Sequence, residues 1–340
     1  LATIKDIAKK SGYSISTVSK ALNGYEDISP EAKNKIIRIA EEIHYIPNLR
    51  SKNLSRREKS SIAFIFSGLK KDGAADGIIY NIMAGAYEYA TNMNYDVQIY
   101  TTNVSKQKEI SYYRFCKERN IEGAVVQGIS TDDPYFTELV NSNLPCVLID
   151  ICTDNQNVGF ISIDNVKAAQ EATNYLIGIG HRNIAMINGR PNAFVSQLRE
   201  EGFRKALEEK NIAINEKWIV SGDFSRGKAY NKAYKLLQLY PEITAIFCAS
   251  DLMALGVYEA AEKLGISIPN DLSVVGFDNI PLASFISPKL TTVKQDMYKI
   301  GYEAAKLLKS IIKGEKIERH KIMDYELLIR DSTKVIHRQS

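Results

Sequence analysis

Two sets of side chains in this sequence have types and spacing suited to chemistry, and the chemistry differs between them. The first set lies where apolar runs give way to polar residues. Asp150 follows VLI, Asp278 follows VVGF, Ser250 follows AIFCA, and Arg199 opens an Arg-x-x-Gly-Phe stretch. Carboxylates accept from paired hydroxyls and an arginine donates in a planar fork, so such groups together can hold a small polar ring. Phe224, just past WIVSGD, can cover the apolar face of that ring. Plainer alternatives stand beside each: caps of helices or turns for Asp150 and Asp278, a structural ion pair for Arg199, core packing for Phe224. The second set is Ile15, Ser16, Thr17, Ser19 and Lys20. These side chains are mostly short and hydroxyl-bearing or basic, which suits a helix entering the major groove of DNA.

Other chemistries find no support. The chain has no GxGxxG after its first apolar run, no GxxxxGK[ST] and no GxSxG, so dehydrogenase, nucleotide-hydrolase and esterase readings lose their usual motifs. Gly178-Ile179-Gly180 precedes a strand-like run and reads as a helix end. The four cysteines (Cys116, Cys146, Cys152 and Cys248) form no CxxC pair and mostly sit in or beside apolar runs, as free buried thiols of a reducing cytoplasm do. The four histidines lack metal-ligand spacing. The expectation is no catalytic residues, no metal and no cofactor. No apolar run reaches membrane-spanning length and no signal-peptide pattern precedes the first helix, so a cytoplasmic location without membrane association is expected.

The second set needs a helix to present it, and Thr3 to Asn23 supplies two. Thr3 with Asp6 makes a capping box, and Ile4, Ile7 and Ala8 give the first helix a narrow apolar face. Gly12 ends it in a left-handed turn. Ser14 or Ser16 caps the second helix, whose buried side is Val18, Ala21 and Leu22. An ordinary helical hairpin has the same spacing. Ser29-Pro30-Glu31 then starts a third helix whose stripe of Ile36, Ala40 and Ile43 can close a small core. Residues 1–60 hold twelve Lys and Arg against seven Asp and Glu, so positive charge is concentrated at the front of a chain whose net charge is +4. A solvated basic face alone would look the same.

From Ser61 onward, apolar runs alternate with amphipathic stretches such as 194–210 and 251–264. Eight strands are expected: 61–66, 95–100, 123–127, 145–149, 159–163, 183–188, 244–249 and 272–277. Alternation of this kind implies an α/β fold with parallel sheets wrapped on both faces. Eight strands divide better into two doubly wound lobes than into one sheet. Ligands of such sheets bind outside the carboxyl ends of the strands, which is where Asp150, Ser250 and Asp278 fall.

The opening run, with TVSKALNG at 17–24 and YIPN at 45–48, resembles the N-terminal region of the LacI/GalR family of bacterial repressors. The body resembles the family's effector domain, of the type I periplasmic-binding-protein fold, through Gly180-His181-Arg182, Arg199-x-x-Gly202-Phe203, Ala249-Ser250-Asp251 and Gly276-Phe277-Asp278. The resemblance implies a helix-turn-helix domain over 1–47, a hinge helix and linker over 48–60, and an effector and dimerisation domain over 61–340. Its first lobe is expected at about 61–160 and 293–320, its second at about 161–292 and 321–340.

By the same resemblance, Lys20, Ser16 and Ile15 take base-reading positions, Ile15 through apolar contact to a thymine methyl. Leu54 takes the place of an apolar wedge in the minor groove. Thr3, Thr17, Ser19, Asn23, Asn48, Ser51 and Lys52 complete the expected DNA-contacting set. Ser51 and Lys52 depart from the usual Ala and Arg, and a lysine cannot make a bidentate contact. A plain flexible linker is the alternative for residues 48–55. The expected effector contacts are Asp150, Arg199, Phe224, Ser250, Asp278 and Gln295. Tyr80 is an open candidate beside SGLKKDGAADGIIY, a loop that matches no family pattern closely.

These observations together imply a cytoplasmic, ligand-responsive repressor of sugar-utilisation genes, bound as a homodimer to a pseudo-palindromic operator. The C-terminal LLIRDSTKVIHRQS has no apolar heptads and so argues against a tetramer. A purine, a sugar phosphate or a protein partner is the alternative effector. A solute-binding protein for transport would share the body but not the basic head.

Overall fold

The computed structural model describes residues 3–22, 25, 27–43, 61–68, 77–93, 95–155 and 158–336. The chain forms two compact units, residues 1–60 and 61–340.

In the first unit the chain makes α1 (Ile4–Ser11), α2 (Ile15–Leu22) and α3 (Pro30–Glu42). The Thr3 N–H and Oγ1 both donate to the Asp6 carboxylate, at 2.8 and 2.7 Å, and hold that carboxyl below its usual pKa range. Gly12 ends α1 at φ +78, a left-handed angle that a side chain would strain. Ser14, not Ser16, caps α2 by accepting from the Thr17 N–H at 3.1 Å. Ser29 caps α3 by accepting from the Ala32 N–H at 3.3 Å. Helices of eight residues do not persist alone in water. Here Ile7, Val18 and Ile36 become fully buried in one cluster with Ala21 and Ala40. Each of the three contributes about 1.5–3 kcal/mol by leaving water.

The second unit begins with β1 (Ser61–Ser67), α4 (Ile78–Asn92) and β2 (Asp96–Thr102). Next come α5 (Val104–Glu109), α6 (Tyr112–Glu118), β3 (Ile121–Gln127), α7 (Pro134–Val140), β4 (Cys146–Ile149) and β5 (Val158–Ile163). The chain continues through α8 (Asn165–Gly178), β6 (Ile184–Asn188), α9 (Phe194–Glu209), β7 (Ile219–Ser221) and α10 (Arg226–Leu239). It then forms β8 (Ala245–Cys248), α11 (Asp251–Leu264), β9 (Ser273–Asp278) and β10 (Thr291–Gln295). The last elements are α12 (Met297–Ile312), β11 (His320–Met323) and β12 (Tyr325–Leu328).

These strands build two six-stranded sheets, ordered β2-β1-β3-β4-β5-β11 and β7-β6-β8-β9-β10-β12. All pairings are parallel except β10 with β12. The inner strands β4, β5, β6, β8 and β9 are buried along their full length. That is why they read as unbroken apolar runs rather than as an alternation.

Beyond the eight expected strands and the short run at Ile219–Ser221, the structure adds β10, β11 and β12. Polar residues in TTVKQ mask β10, and β11 and β12 are four-residue edge strands with partly exposed side chains. Sheet membership puts the three crossings between lobes near 164, 296 and 324, a few residues beyond the 160, 292 and 320 expected. After β10 the chain leaves sheet two, and α12 packs on sheet one beside α4. Gly85 and Gly301 allow that approach: a Cβ on either would stand 2.0 Å from a backbone oxygen of the facing helix.

Candidate functional site

A cavity of about 580 Å³ lies in the second unit and draws its walls from both sheets. Sheet one contributes Ser67, Gln127 and Asp150, at or just beyond the carboxyl ends of β1, β3 and β4. From sheet two come Arg190, Phe224, Ser250 and Asp278, while Arg199 enters from α9. Doubly wound sheets hold ligands at this end of their strands because the loops there converge and the helix N-termini face the opening.

Several of these residues are forced into unusual backbone geometry. Asp150 (φ +64), Asp223 (φ +56), Phe224 (φ +51) and Asp278 (φ +109) all adopt positive φ and all line the cavity. Each such residue costs of order 1–3 kcal/mol, which the surrounding sheet must offset.

The polar groups form one connected chain across both lobes. Ser162 Oγ donates to Asp150 Oδ1 at 2.6 Å and accepts from Asn165 Nδ2 at 3.0 Å. Asn165 Oδ1 in turn accepts from Arg199 Nε at 2.9 Å. Arg199 Nη1 donates to the Ala249 carbonyl at 2.6 Å and lies 3.7 Å from Asp278 Oδ1. Asp278 Oδ1 accepts from Gln295 Nε2 at 2.8 Å. Ser162 and Asn165 flank the first crossing between lobes and Gln295 precedes the second. The network is therefore anchored beside two of the three crossings between lobes.

Arg199 is 3 % exposed, and its guanidinium stacks 3.7 Å from the centroid of the Phe277 ring. Burial draws its pKa down, while Asp278, Asp150 and Asp251 pull it back up. Burial pushes the Asp150 carboxyl up, against the Ser162 hydrogen bond and the Arg199 charge. Arg199 thus lines the cavity and is at the same time a buried ion-pair partner. Ser250 lines the cavity and also caps α11 by accepting from the Met253 N–H at 3.3 Å.

Two expected contacts are not placed at the cavity. Tyr80 sits in the first turn of α4 and is 70 % exposed, while Ile78 and Ile79 supply the lining there. Gln295 is buried behind Asp278 and fixes that carboxylate instead of reaching the cavity. Of the thiols, Cys152 is exposed, unlike Cys116, Cys146 and Cys248. Sequence reasoning passed over Gln127 and Arg190, although both follow apolar strands by the same logic that selected Asp150.

In the first unit, Ile15, Ser16 and Lys20 are exposed on α2, with Ile15 at 48 % and Thr17 and Ser19 partly so. Ser14 Oγ lies 2.9 Å from Ser16 Oγ and 2.8 Å from Thr17 Oγ1, which ties those hydroxyls to the cap. Lys20 is ion-paired with Asp27. Asn23, Asn48, Ser51, Lys52 and Leu54 lie outside the described residues.

Residues 3–48 match the family of bacterial regulatory proteins described as lacI family, and residues 173–333 match a periplasmic binding protein-like domain. The HTH-type transcriptional repressor CytR of Escherichia coli (strain K12) is 32% identical over 336 residues, covering 98% of this chain and 97% of that one. The chain belongs to the lacI family. Catabolite control protein A of Priestia megaterium is 29% identical, with 98% and 99% covered. Among solved structures, the transcriptional regulator CelR–cellobiose complex superposes with a TM-score of 0.73 at 25% identity, covering 98% of this chain and 100% of that one. The lac repressor dimer bound to operator and the anti-inducer ONPF shares the fold, with a TM-score of 0.83 at 24% identity over 98% and 99% of the two chains. This lacI-family chain is a ligand-responsive DNA-binding transcriptional regulator and not an enzyme. No helix among its described residues is long and apolar enough to cross a membrane.

The short motifs of this lacI-family body have structural work. The Asp251 carboxylate accepts from the Ile280 N–H at 2.9 Å and Thr292 Oγ1 at 2.6 Å, and burial with the nearby Asp278 charge raises its pKa. It thereby pins the Ala-Ser-Asp turn to the Gly-Phe-Asp turn, each of which carries a cavity residue. His181 lies 2.9 Å from both Thr244 Oγ1 and Ser273 Oγ, joining the beginnings of β8 and β9.

Proposed function

We propose that this protein is a cytoplasmic repressor that binds a pseudo-palindromic operator as a homodimer and responds to a sugar or sugar derivative held between its lobes. The observation that carries the reading is the chain from Asp150 through Ser162, Asn165 and Arg199 to Asp278. It places two carboxylates and a fixed arginine around one cavity, in reach of a ring's hydroxyls, with Phe224 beside them for the apolar face. The CelR–cellobiose complex, a similar chain, supports a sugar.

The lobes also meet away from the cavity, where the Thr131 N–H and Oγ1 donate to the Asn192 carbonyl at 3.0 and 3.2 Å. Asn192 Nδ2 donates across to Asp132 at 2.8 Å. A ligand that favours one lobe arrangement shifts operator affinity by no more than its own differential affinity for the two arrangements.

On α2, Ser16 and Lys20 read bases, Ile15 adds an apolar contact, and Thr17 and Ser19, with Thr3 at the start of α1, complete the DNA-facing set. The operator is sought by selecting duplexes from a random pool with the full chain. An enriched motif with twofold symmetry is expected, and Lys20→Ala should lose about 1–3 kcal/mol of specific binding with relaxed preference at one base pair per half-site. Enrichment of a single asymmetric site would overturn the homodimer reading. The effector is sought by calorimetric titration of sugars, where Asp278→Asn should abolish binding that the parent chain shows.

A further inference from the structure

We infer that the effector carries an anionic group, a carboxylate or a phosphate on a sugar-like frame, and that Arg190 receives it between the lobes. The inference rests on the cavity's being the effector site. Arg190 follows Asn188 and Gly189 at the carboxyl end of β6 and lines the cavity from lobe two. It reaches lobe one: its Nη1 stands 3.6 Å from the position a Cβ on Gly68 would take.

The other two arginines of the lining are already engaged. Arg199 donates to Asn165 and Ala249 and faces Asp278, and Arg226 is paired with Glu259. Asp223 is held by Lys228. Arg190 has Asp223 at 3.9 Å, beyond hydrogen-bond distance, as its ion-pair partner among the described residues. A guanidinium carries five donors in a planar fork. With its side chain 36 % exposed and lobe one in front of it, Arg190 offers a bidentate site for an anion.

The wall opposite fits the same ligand. Gln127 Oε1 is buried and lacks a hydrogen-bond partner, so it can accept from a ligand hydroxyl. Ile78 and Ile79 bring the first turn of the fifteen-residue α4 to the cavity, and the positive end of a helix dipole favours negative charge. A neutral polyol would use Asp150, Asp278 and Gln127 and leave the Arg190 fork unfilled. An acid or phosphate fills both ends.

The test is calorimetric titration of the full chain with matched triplets: a neutral hexose, its uronic acid and its 6-phosphate, in the gluco, galacto and manno series. In one series the acid or the phosphate should bind at least about tenfold tighter than the neutral sugar. Arg190→Gln should bring that ratio within about twofold of unity, as expected when a charge-assisted fork is lost. The preferred arm identifies the anion as carboxylate or phosphate. A neutral sugar that binds as tightly as its charged partners, and is lost in Asp278→Asn, would overturn the anionic subsite while leaving the cleft as the effector site. A charged-over-neutral preference that survives Arg190→Gln would remove the role from Arg190. No binding by any member would overturn both readings.

Discussion

Arg199 lines the cavity and is also a structural ion-pair partner. Its guanidinium is sealed between the Phe277 ring, the Ala249 carbonyl, Asn165 and Asp278. Arg199→Ala would leave the Asp278 carboxylate buried without its cation and should cost about 3–5 kcal/mol, read as a lower urea midpoint at unchanged slope. The variant loses effector binding and stability together, so a missing response in it does not by itself identify a ligand contact. His181 makes a separate prediction. Burial depresses its pKa from 6.5 to about 4. Between those values the unfolded chain takes up a proton that the folded chain refuses. The stability contributed by neutral His181 is therefore complete above pH 6.5 and falls as pH drops toward 4, by roughly 3 kcal/mol. His181→Gln should flatten that part of the stability–pH curve measured from pH 7 to 4.5. Asp150, Ser250 and Asp278 could be placed at the cavity from sequence because each follows an apolar run, Phe224 because it lies just past WIVSGD, and Arg199 through the Arg-x-x-Gly-Phe stretch it opens. Gln295 and Tyr80 do not line the cavity, because a residue's position along the chain does not fix which way its side chain points. Arg190 escaped notice for want of a motif around it, although its strand-end position was visible.

At the scale of elements, the apolar runs of β1, β3, β4, β5, β6, β8 and β9 were legible because strands buried on both faces leave no polar alternation. β10 was not, since its buried Thr291 and Thr292 serve hydrogen bonds that only the fold creates. One donates to Asp251 and the other accepts from the Arg330 N–H. The packing of α12 on α4 was also hidden, because it joins residues more than two hundred positions apart. Gly301→Ala tests that contact. Its new Cβ would stand 2.0 Å from the Ile82 carbonyl oxygen, so the helices must separate, at about 1–3 kcal/mol. Gly227→Ala, with no atom within 4 Å of the added Cβ in α10, should be neutral or slightly stabilising. Chemical denaturation of both variants reads the contrast. If both glycines tolerate alanine equally, the close crossing of α4 and α12 is wrong.

At the scale of the molecule, a basic three-helix unit is followed in the chain by a two-lobed body whose cavity network is anchored at the crossings between lobes. Residues 1–60 carry the excess positive charge, and the body is close to neutral, so operator affinity should fall with salt while effector affinity changes far less. The most direct test of a ligand-responsive DNA-binding regulator is the affinity of the full chain for its selected duplex, measured by fluorescence anisotropy with and without saturating effector. The expected result is a shift of about 5–150-fold, absent in Asp278→Asn although that variant still binds the duplex. Equal affinity in the two titrations, with calorimetry showing the effector bound, would contradict coupling between cleft and head.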